Sequence, residues 1–261
     1  MPFELSDVIA KRATWDIAIK KVMEAIEARK PFSMVRQNDG EAIILGAGRD
    51  VPDEKVASIL HHWWHWTSID WDLVEKLRTG LLQSASTADI LGFFDTCDNV
   101  TQRYSLTGEL LRKYADLAGD AILTNANIHY DWQENNQFKS MLQGRERVIV
   151  LSNYDLVDEI RGYFNIDTIV WIPIPGHARY TDPRRQSYRH YPEWFEELRQ
   201  VLMKTSPGEI HLVGAGVVGK IYCHWIKQAG GIALDIGSVF DFWAKNRKRR
   251  SVRIGSTREG F

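Results

Sequence analysis

Cysteine is nearly absent: Cys97 and Cys223 are the only two in 261 residues, and neither belongs to a CxxC pair. That excludes a disulfide framework and a cysteine zinc site. No apolar run reaches the roughly 18 residues that span a bilayer, and acidic residues arrive at once, at Glu4 and Asp7, before any signal-peptide core. Neither sign of charge is in excess. The 33 Lys and Arg stand against 34 Asp and Glu, a net charge of −1, so no overall field draws the chain to nucleic acid or an anionic membrane. Low-complexity stretches and solenoid repeats are missing too. So are a GxSxG elbow, a GxxxxGK[ST] phosphate loop and a kinase signature. Neither cysteine has the electropositive helix-start context of a nucleophile. The expectation is a cytoplasmic globular protein with no transmembrane segment and no nucleic-acid partner.

What is present is ordinary in bulk, with 44% hydrophobic and 26% charged residues, enough for one large domain over residues 1–261. The unusual count is ten tryptophans, four of which, Trp63, Trp64, Trp66 and Trp71, crowd one segment. Aromatic rings suit sugar faces and packed cores alike. From about residue 30, short apolar runs alternate with amphipathic stretches. The strand candidates are Ser33–Arg36, Ile90–Phe94, Ala121–Asn125, Arg147–Ser152, Thr168–Pro173, Glu209–Gly214 and Ile232–Ile236. Helix candidates are Thr107–Ala118, Glu134–Gln143, Leu156–Phe164, Tyr191–Lys204 and Val217–Gln228. This alternation predicts an α/β fold: a doubly wound, mostly parallel sheet with helices on both faces. An opening helix is expected over Ser6–Arg29, capped by Ser6 or Asp7, with an apolar stripe of Val8, Ile9, Ile17, Val22 and Ile26. The stretch from Pro173 to His190 reads as one long loop.

In such sheets ligands bind at the carboxyl ends of the strands, so residues just after strands are examined first. Arg36-Gln37-Asn38-Asp39-Gly40-Glu41 places two carboxylates around one glycine after a strand. Hard oxygen ligands at that spacing can hold Mg²⁺ or Mn²⁺ on a diphosphate, with Gly40 allowing a sharp turn. Spacing alone equally gives a helix start, with Asn38 or Asp39 as cap and Glu41 in the first turn, and this is the simpler reading. Gly214-Ala215-Gly216-Val217-Val218-Gly219 fits GxGxxG between strand and helix, with Asp235 at the end of the next strand, a pattern for nucleotide phosphate. Its place late in the chain, not at the first strand, counts against NAD. Thr124 to His129, with Asp131 close behind, offers Asn125 and His129 for hydrogen bonds or proton transfer, or simply a satisfied loop. His61 and His65 sit four apart on a helix candidate but lack a third metal ligand. Lys245 to Arg250 carries five basic residues in six, read first as a solvated tail, over 245–261.

Two segments together resemble the GT-D-type glycosyltransferases. Val35-Arg36-Gln37-Asn38-Asp39-Gly40-Glu41 resembles that family's RxGDGE opening. Gly214 to Lys220, continuing to Leu234-Asp235-Ile236-Gly237, resembles its closing GxxGK…LDIG segment, so the resemblance covers roughly Ser33 to Trp243. Gln37-Asn38 stands where an aromatic-Gly pair is usual, and Ser238 where many members have His. The resemblance implies a Rossmann-like domain whose Asp-x-Glu motif coordinates a divalent ion on a UDP-sugar. On that reading Asp39 and Glu41 are catalytic and hold Mn²⁺ or Mg²⁺. Arg36, Asn38, Asn125, His129, Gly214, Gly216, Gly219, Lys220, Asp235 and Ser238 then bind the donor.

The expected activity is metal-dependent sugar transfer from a UDP-sugar to an unidentified glycan, glycoprotein or lipid-linked acceptor. His129, Asp131 and His177 are base candidates by residue type. Two alternatives stay open: an NAD-type oxidoreductase built on Gly214, Gly216, Gly219 and Asp235, and a non-catalytic nucleotide-binding module.

Overall fold

The computed structural model describes residues 13–93, 105–115, 121–175 and 190–244. Seven strands form one all-parallel sheet: β1 (Phe32–Gln37), β2 (Ile90–Phe93), β3 (Ile122–Asn125), β4 (Arg147–Ser152), β5 (Thr168–Pro173), β6 (Ile210–Val213) and β7 (Ile232–Asp235). Their spatial order is β3-β2-β1-β7-β6-β4-β5, every neighbouring pair parallel. The first and last strands therefore pair at the centre, with β2 and β3 to one side and β4 to β6 on the other.

The helices in chain order are α1 (Trp15–Ala28), α2 (Asp39–Leu45), α3 (Asp53–Trp64), α4 (Trp71–Ser86), α5 (Ser105–Tyr114) and α6 (Ile128–Glu134). They continue with α7 (Gln137–Leu142), α8 (Val157–Phe164), α9 (Phe195–Leu202), α10 (Gly219–Gln228) and α11 (Val239–Trp243). Successive strand side chains point to opposite faces, so the near-continuous apolar runs feed two cores. Met34, Ile90, Val148 and Val150 join α1, α6, α7, α8 and α11 in one. Val35, Leu91, Ile149 and Leu151 join α2, α3, α4, α5, α9 and α10 in the other. The expected doubly wound sheet is what the chain forms. No helix among the described residues is long and apolar enough to cross a membrane.

Several local expectations are corrected. Helix α1 starts at Trp15, because Thr14 is extended (φ −71°, ψ 164°) and Ala13 is tied to β3 through its N–H on Leu123 O at 2.8 Å. Ser6 and Asp7 lie outside the described residues, as do Val8 and Ile9. Its buried stripe is Ala18, Ile19, Val22, Ala25 and Ile26, which leaves Ile17 47% exposed, one position off the face. The helix expected over 134–143 is shorter, Gln137–Leu142: Glu134 ends α6 and Asn136 before α7 is left-handed at φ 56°. The helix expected from Tyr191 becomes regular at Phe195, since Tyr191 is extended (φ −133°, ψ 130°). His65 is not on a helix face: it ends α3 in a left-handed cap at φ 54°. His177 and the basic tail over 245–261 lie outside the described residues.

Candidate functional site

The strand registers set the site. Arg36 and Gln37 align with Gly92 and Phe93 of β2, which align with Thr124 and Asn125 of β3. Across the centre Val213 of β6 aligns with Asp235 of β7. The segments opening at Asn38, Ala126, Gly214 and Ile236 thus leave the sheet along one carboxyl rim, the position where open α/β sheets bind ligands.

At the centre of that rim two cations and two carboxylates are buried together. Arg36 Nε donates to the Asp235 carbonyl at 2.8 Å and its Nη2 pairs with Asp235 Oδ1 at 3.1 Å. Its Nη1 donates to the Ala126 carbonyl at 3.2 Å and lies 2.9 Å from His129 Nε2 and 3.0 Å from Nδ1. A guanidinium only donates, so the ring nitrogen that takes this hydrogen is unprotonated. Lys220, from the first turn of α10, sets its Nζ 2.9 Å from Glu41 Oε1, 3.3 Å from Asp235 Oδ2 and 3.1 Å from the Gly216 carbonyl. Burial alone would push its pKa down. Asp235 and then Glu41 outweigh it, and the pKa stands above the ordinary lysine value. Glu41 Oε2 accepts from Asn38 N at 2.8 Å, which joins the cluster to the first turn of α2. Such a group is stable only complete: a buried charge that loses its partner costs several kcal/mol.

Glycine makes this closeness possible. At Gly237 φ is +46°, and a Cβ would lie 2.2 Å from Arg36 Nη2, so only a residue without one fits against the guanidinium. The glycines of the GxGxxG stretch do other work. A Cβ at Gly214 would meet Phe240 at 2.4 Å, and one at Gly219 would sit 3.3 Å from both Ala215 and Val213. Gly216 turns the chain at φ +58°. Gly214 and Gly219 are thus explained by packing. The acidic residue of the supposed dinucleotide pattern, Asp235, has both carboxylate oxygens engaged by Arg36 and Lys220 and is not free for a ribose hydroxyl.

The remaining expected residues divide. The cap of α2 is Asn38, not Asp39, and Asp39 is the first helical residue; its side chain lies outside the description. Gly40 is helical, not a sharp turn, and is small because Trp63 Cζ2 would lie 2.6 Å from a Cβ there. Asn125 Oδ1 accepts from Asn127 N at 2.7 Å, a local turn at the rim. His129 is buried on α6 and joins the cluster, with Ser238 Oγ 3.4 Å from its Nε2 and 2.5 Å from Tyr130 OH. Asp131 follows on the same helix, half-buried. Sequence reasoning missed Gly237, Tyr130 and Thr107, whose Oγ1 donates to the Asn38 carbonyl at 3.1 Å. Gly237 was visible within Asp235-Ile236-Gly237. Thr107 had no signal, since only folding brings it to Asn38.

Glu41 does not fit the metal ligand expected of it. Both its oxygens have donors, and the Lys220 ammonium stands where a cation would approach Oε1. Among the described side chains no group of three His, Cys, Asp or Glu is placed to hold an ion.

Comparison with known proteins places the chain in a family. The model of the GT-D-like family, a GT-D fold-like domain, matches residues 15–243. No curated protein matches the chain. Three solved structures are similar, all of the domain of unknown function 1792. A selenomethionine-substituted structure aligns with TM-score 0.56 at 15% identity, covering 92% of this chain and 86% of that one. A second, described as a highly conserved domain with a distinct glycosyltransferase fold, gives 0.51 at 16% identity over 92% and 86%. A third, a glycosyltransferase from Streptococcus sanguinis, gives 0.56 at 14% identity over 89% and 84%. Identities this low speak for the fold alone, whereas the family match spans most of the chain. The chain belongs to the GT-D-like family and is a glycosyltransferase.

Proposed function

We propose that the chain transfers a sugar from a UDP-sugar, bound at the carboxyl rim above β1, β7 and β6, to a hydroxyl of a glycan, glycoprotein or lipid-linked acceptor. The observation that carries this reading is the buried cluster of Arg36, Lys220, Glu41 and Asp235. It locks the starts of α2 and α10 and the loop after β7 at one place on the rim. Backbone fixed in this way is preorganised to meet charge developing on a leaving diphosphate. Lys220 and Arg36 are positioning residues here, because their donors are already directed at protein groups. Of the two carboxylates expected to hold Mn²⁺ or Mg²⁺, Glu41 is engaged by Lys220, and this reading leaves Asp39 to a divalent ion. Bound there, the ion would neutralise diphosphate charge.

The oxidoreductase alternative loses its ribose ligand, since Asp235 is held inside the cluster. Thermal unfolding separates the two readings. A ligand at 100 times its dissociation constant adds about 2.7 kcal/mol to the folded state. UDP with Mn²⁺ is expected to raise the melting temperature, and NAD or NADH to leave it unchanged. A shift with NAD(H) and none with UDP would overturn the proposal.

A further inference from the structure

The crowd of tryptophans resolves into two uses. Trp63, Trp64, Trp66, Trp132, Trp225 and Trp243 are buried, and Trp71 stands apart at 42% exposed. Of the five large hydrophobic side chains exposed among the described residues, Trp71 alone lines a cavity of about 690 Å³, which it shares with Gly48, Arg49, Asp53 and Glu75. That volume lies in the range of small-molecule sites.

The cavity walls are held in place. Trp71 opens α4, whose start is capped by Asp70 accepting from Leu73 N at 3.1 Å. Gly48 has φ +69°, and a Cβ there would be 3.3 Å from Trp71 Cζ3, so bare backbone braces the six-membered ring. Glu75 is gripped by Arg78 through two bonds, 2.9 Å from Nε and 2.6 Å from Nη2. That bond holds the Glu75 carboxyl below the usual range, so it stays ionised. Arg49 lies 5.2 Å over the Tyr114 ring, and the Tyr114 hydroxyl donates to Asp50 at 2.6 Å.

An exposed indole flanked by two carboxylates and one guanidinium selects among ligand classes. A phosphate or nucleotide would face Asp53 and Glu75 across the same space. An apolar peptide would bury the Asp53 carboxylate and offer it no hydrogen-bond donor, which is costly. A saccharide offers an apolar C–H face to the ring, hydroxyl donors to the carboxylates and hydroxyl acceptors to Arg49. The cavity lies past the far end of α2, whose seven residues rise about 10 Å from the rim. It is therefore separate from the donor position.

We propose that this cavity is a saccharide-binding site with Trp71 as its platform, and that it holds part of the acceptor glycan. The acceptor role rests on the transferase reading; saccharide binding does not.

Saturation-transfer NMR with the methyl glycosides of glucose, galactose, N-acetylglucosamine and rhamnose, and with cellobiose, tests it. At least one sugar is expected to bind the wild-type protein and to bind Trp71→Ala about tenfold more weakly, equivalent to about 1.4 kcal/mol. Trp71→Phe should retain most of the binding and Asp53→Asn should lose part of it. UDP-sugar hydrolysis without acceptor, read with UDP-glucose, UDP-galactose and UDP-N-acetylglucosamine, should be unchanged in all three variants. Absence of binding by every sugar, or equal binding by Trp71→Ala, overturns the proposal. Absence of UDP-sugar hydrolysis in the wild type with sugar binding intact would instead count against the UDP-sugar donor and leave this site standing.

Discussion

Lys220 at the carboxyl rim and His211 near the other end of the same sheet are both buried basic side chains, and burial has opposite outcomes for them. Lys220 meets Asp235 and Glu41, and its pKa rises above the ordinary value although desolvation works against the charge. His211, on β6, meets the Glu209 carbonyl at 3.1 Å and the Thr205 hydroxyl at 3.3 Å, with no carboxylate. Its pKa falls from 6.5 to about 4 because burial dominates. Lys220 keeps its charge inside because two carboxylates surround it, whereas His211 has none. A region that holds buried charge at such cost, at the rim where open α/β sheets bind ligands, is a candidate functional site.

Removing the charge at the rim is the strongest way to break that contrast. Lys220→Met leaves Glu41 without its cation and Asp235 with one fewer, at an expected cost of roughly 3–5 kcal/mol. The melting temperature should fall by at least about 6 °C for a domain of this size. Adding Glu41→Gln should restore part of the loss, since the orphaned charge goes with it. Melting of Lys220→Met at the wild-type temperature would mean that the cluster is not a cooperative unit.

The other end of the sheet gives the next largest effect. As pH falls below 6.5 the unfolded chain takes up the His211 proton before the folded one does. Stability present above pH 6.5 is therefore lost down to about pH 4, by an amount on the order of 3 kcal/mol. Lys220 acts in the opposite sense. Its contribution is complete below the ordinary lysine pKa of 10.5 and is lost as pH rises through the higher folded value. His211→Gln should flatten the acid limb of a stability-against-pH curve and leave the alkaline limb alone. An unchanged acid limb would show that His211 is not buried neutral.

The larger part of the fold was legible because its signals are local and repeated. Seven short apolar runs mark the strands whether or not their order is known. The three helices between β1 and β2 were harder to see. Asp70 before Trp71, with Leu73, Leu77 and Leu81 at four-residue steps, is a readable start and stripe for α4, yet the crowd of aromatic residues masks it. The site was legible as residue types but not as partnerships. Arg36, Glu41, Lys220 and Asp235 each stood out, whereas their mutual pairing needs β1 beside β7, and strand order is not written in any single segment. Spacing also presented Gly214 and Gly219 as a phosphate loop, while Phe240 and Val213 explain them by contact.

The smallest expected effect on stability is the most telling for function. Asp39 is the first residue of α2, where a negative charge contributes no more than about 1 kcal/mol through the helix dipole. Asp39→Asn should therefore melt within a few degrees of wild type, unlike Lys220→Met or Glu41→Gln. If Asp39 holds a divalent ion on the diphosphate, the same substitution removes the charge a hard cation needs, and most turnover goes with it. Glu41→Gln is expected to lower activity and melting temperature together, since it breaks the Lys220 pair whatever its part in catalysis. UDP release from a UDP-sugar, followed across a Mn²⁺ titration beside melting curves, distinguishes these behaviours. Full turnover in Asp39→Asn at the wild-type metal requirement would remove the ion from Asp39. With Glu41 already committed to Lys220, neither carboxylate of the motif would remain to bind it, and transfer would have to rely on the preorganised rim without a metal at this position.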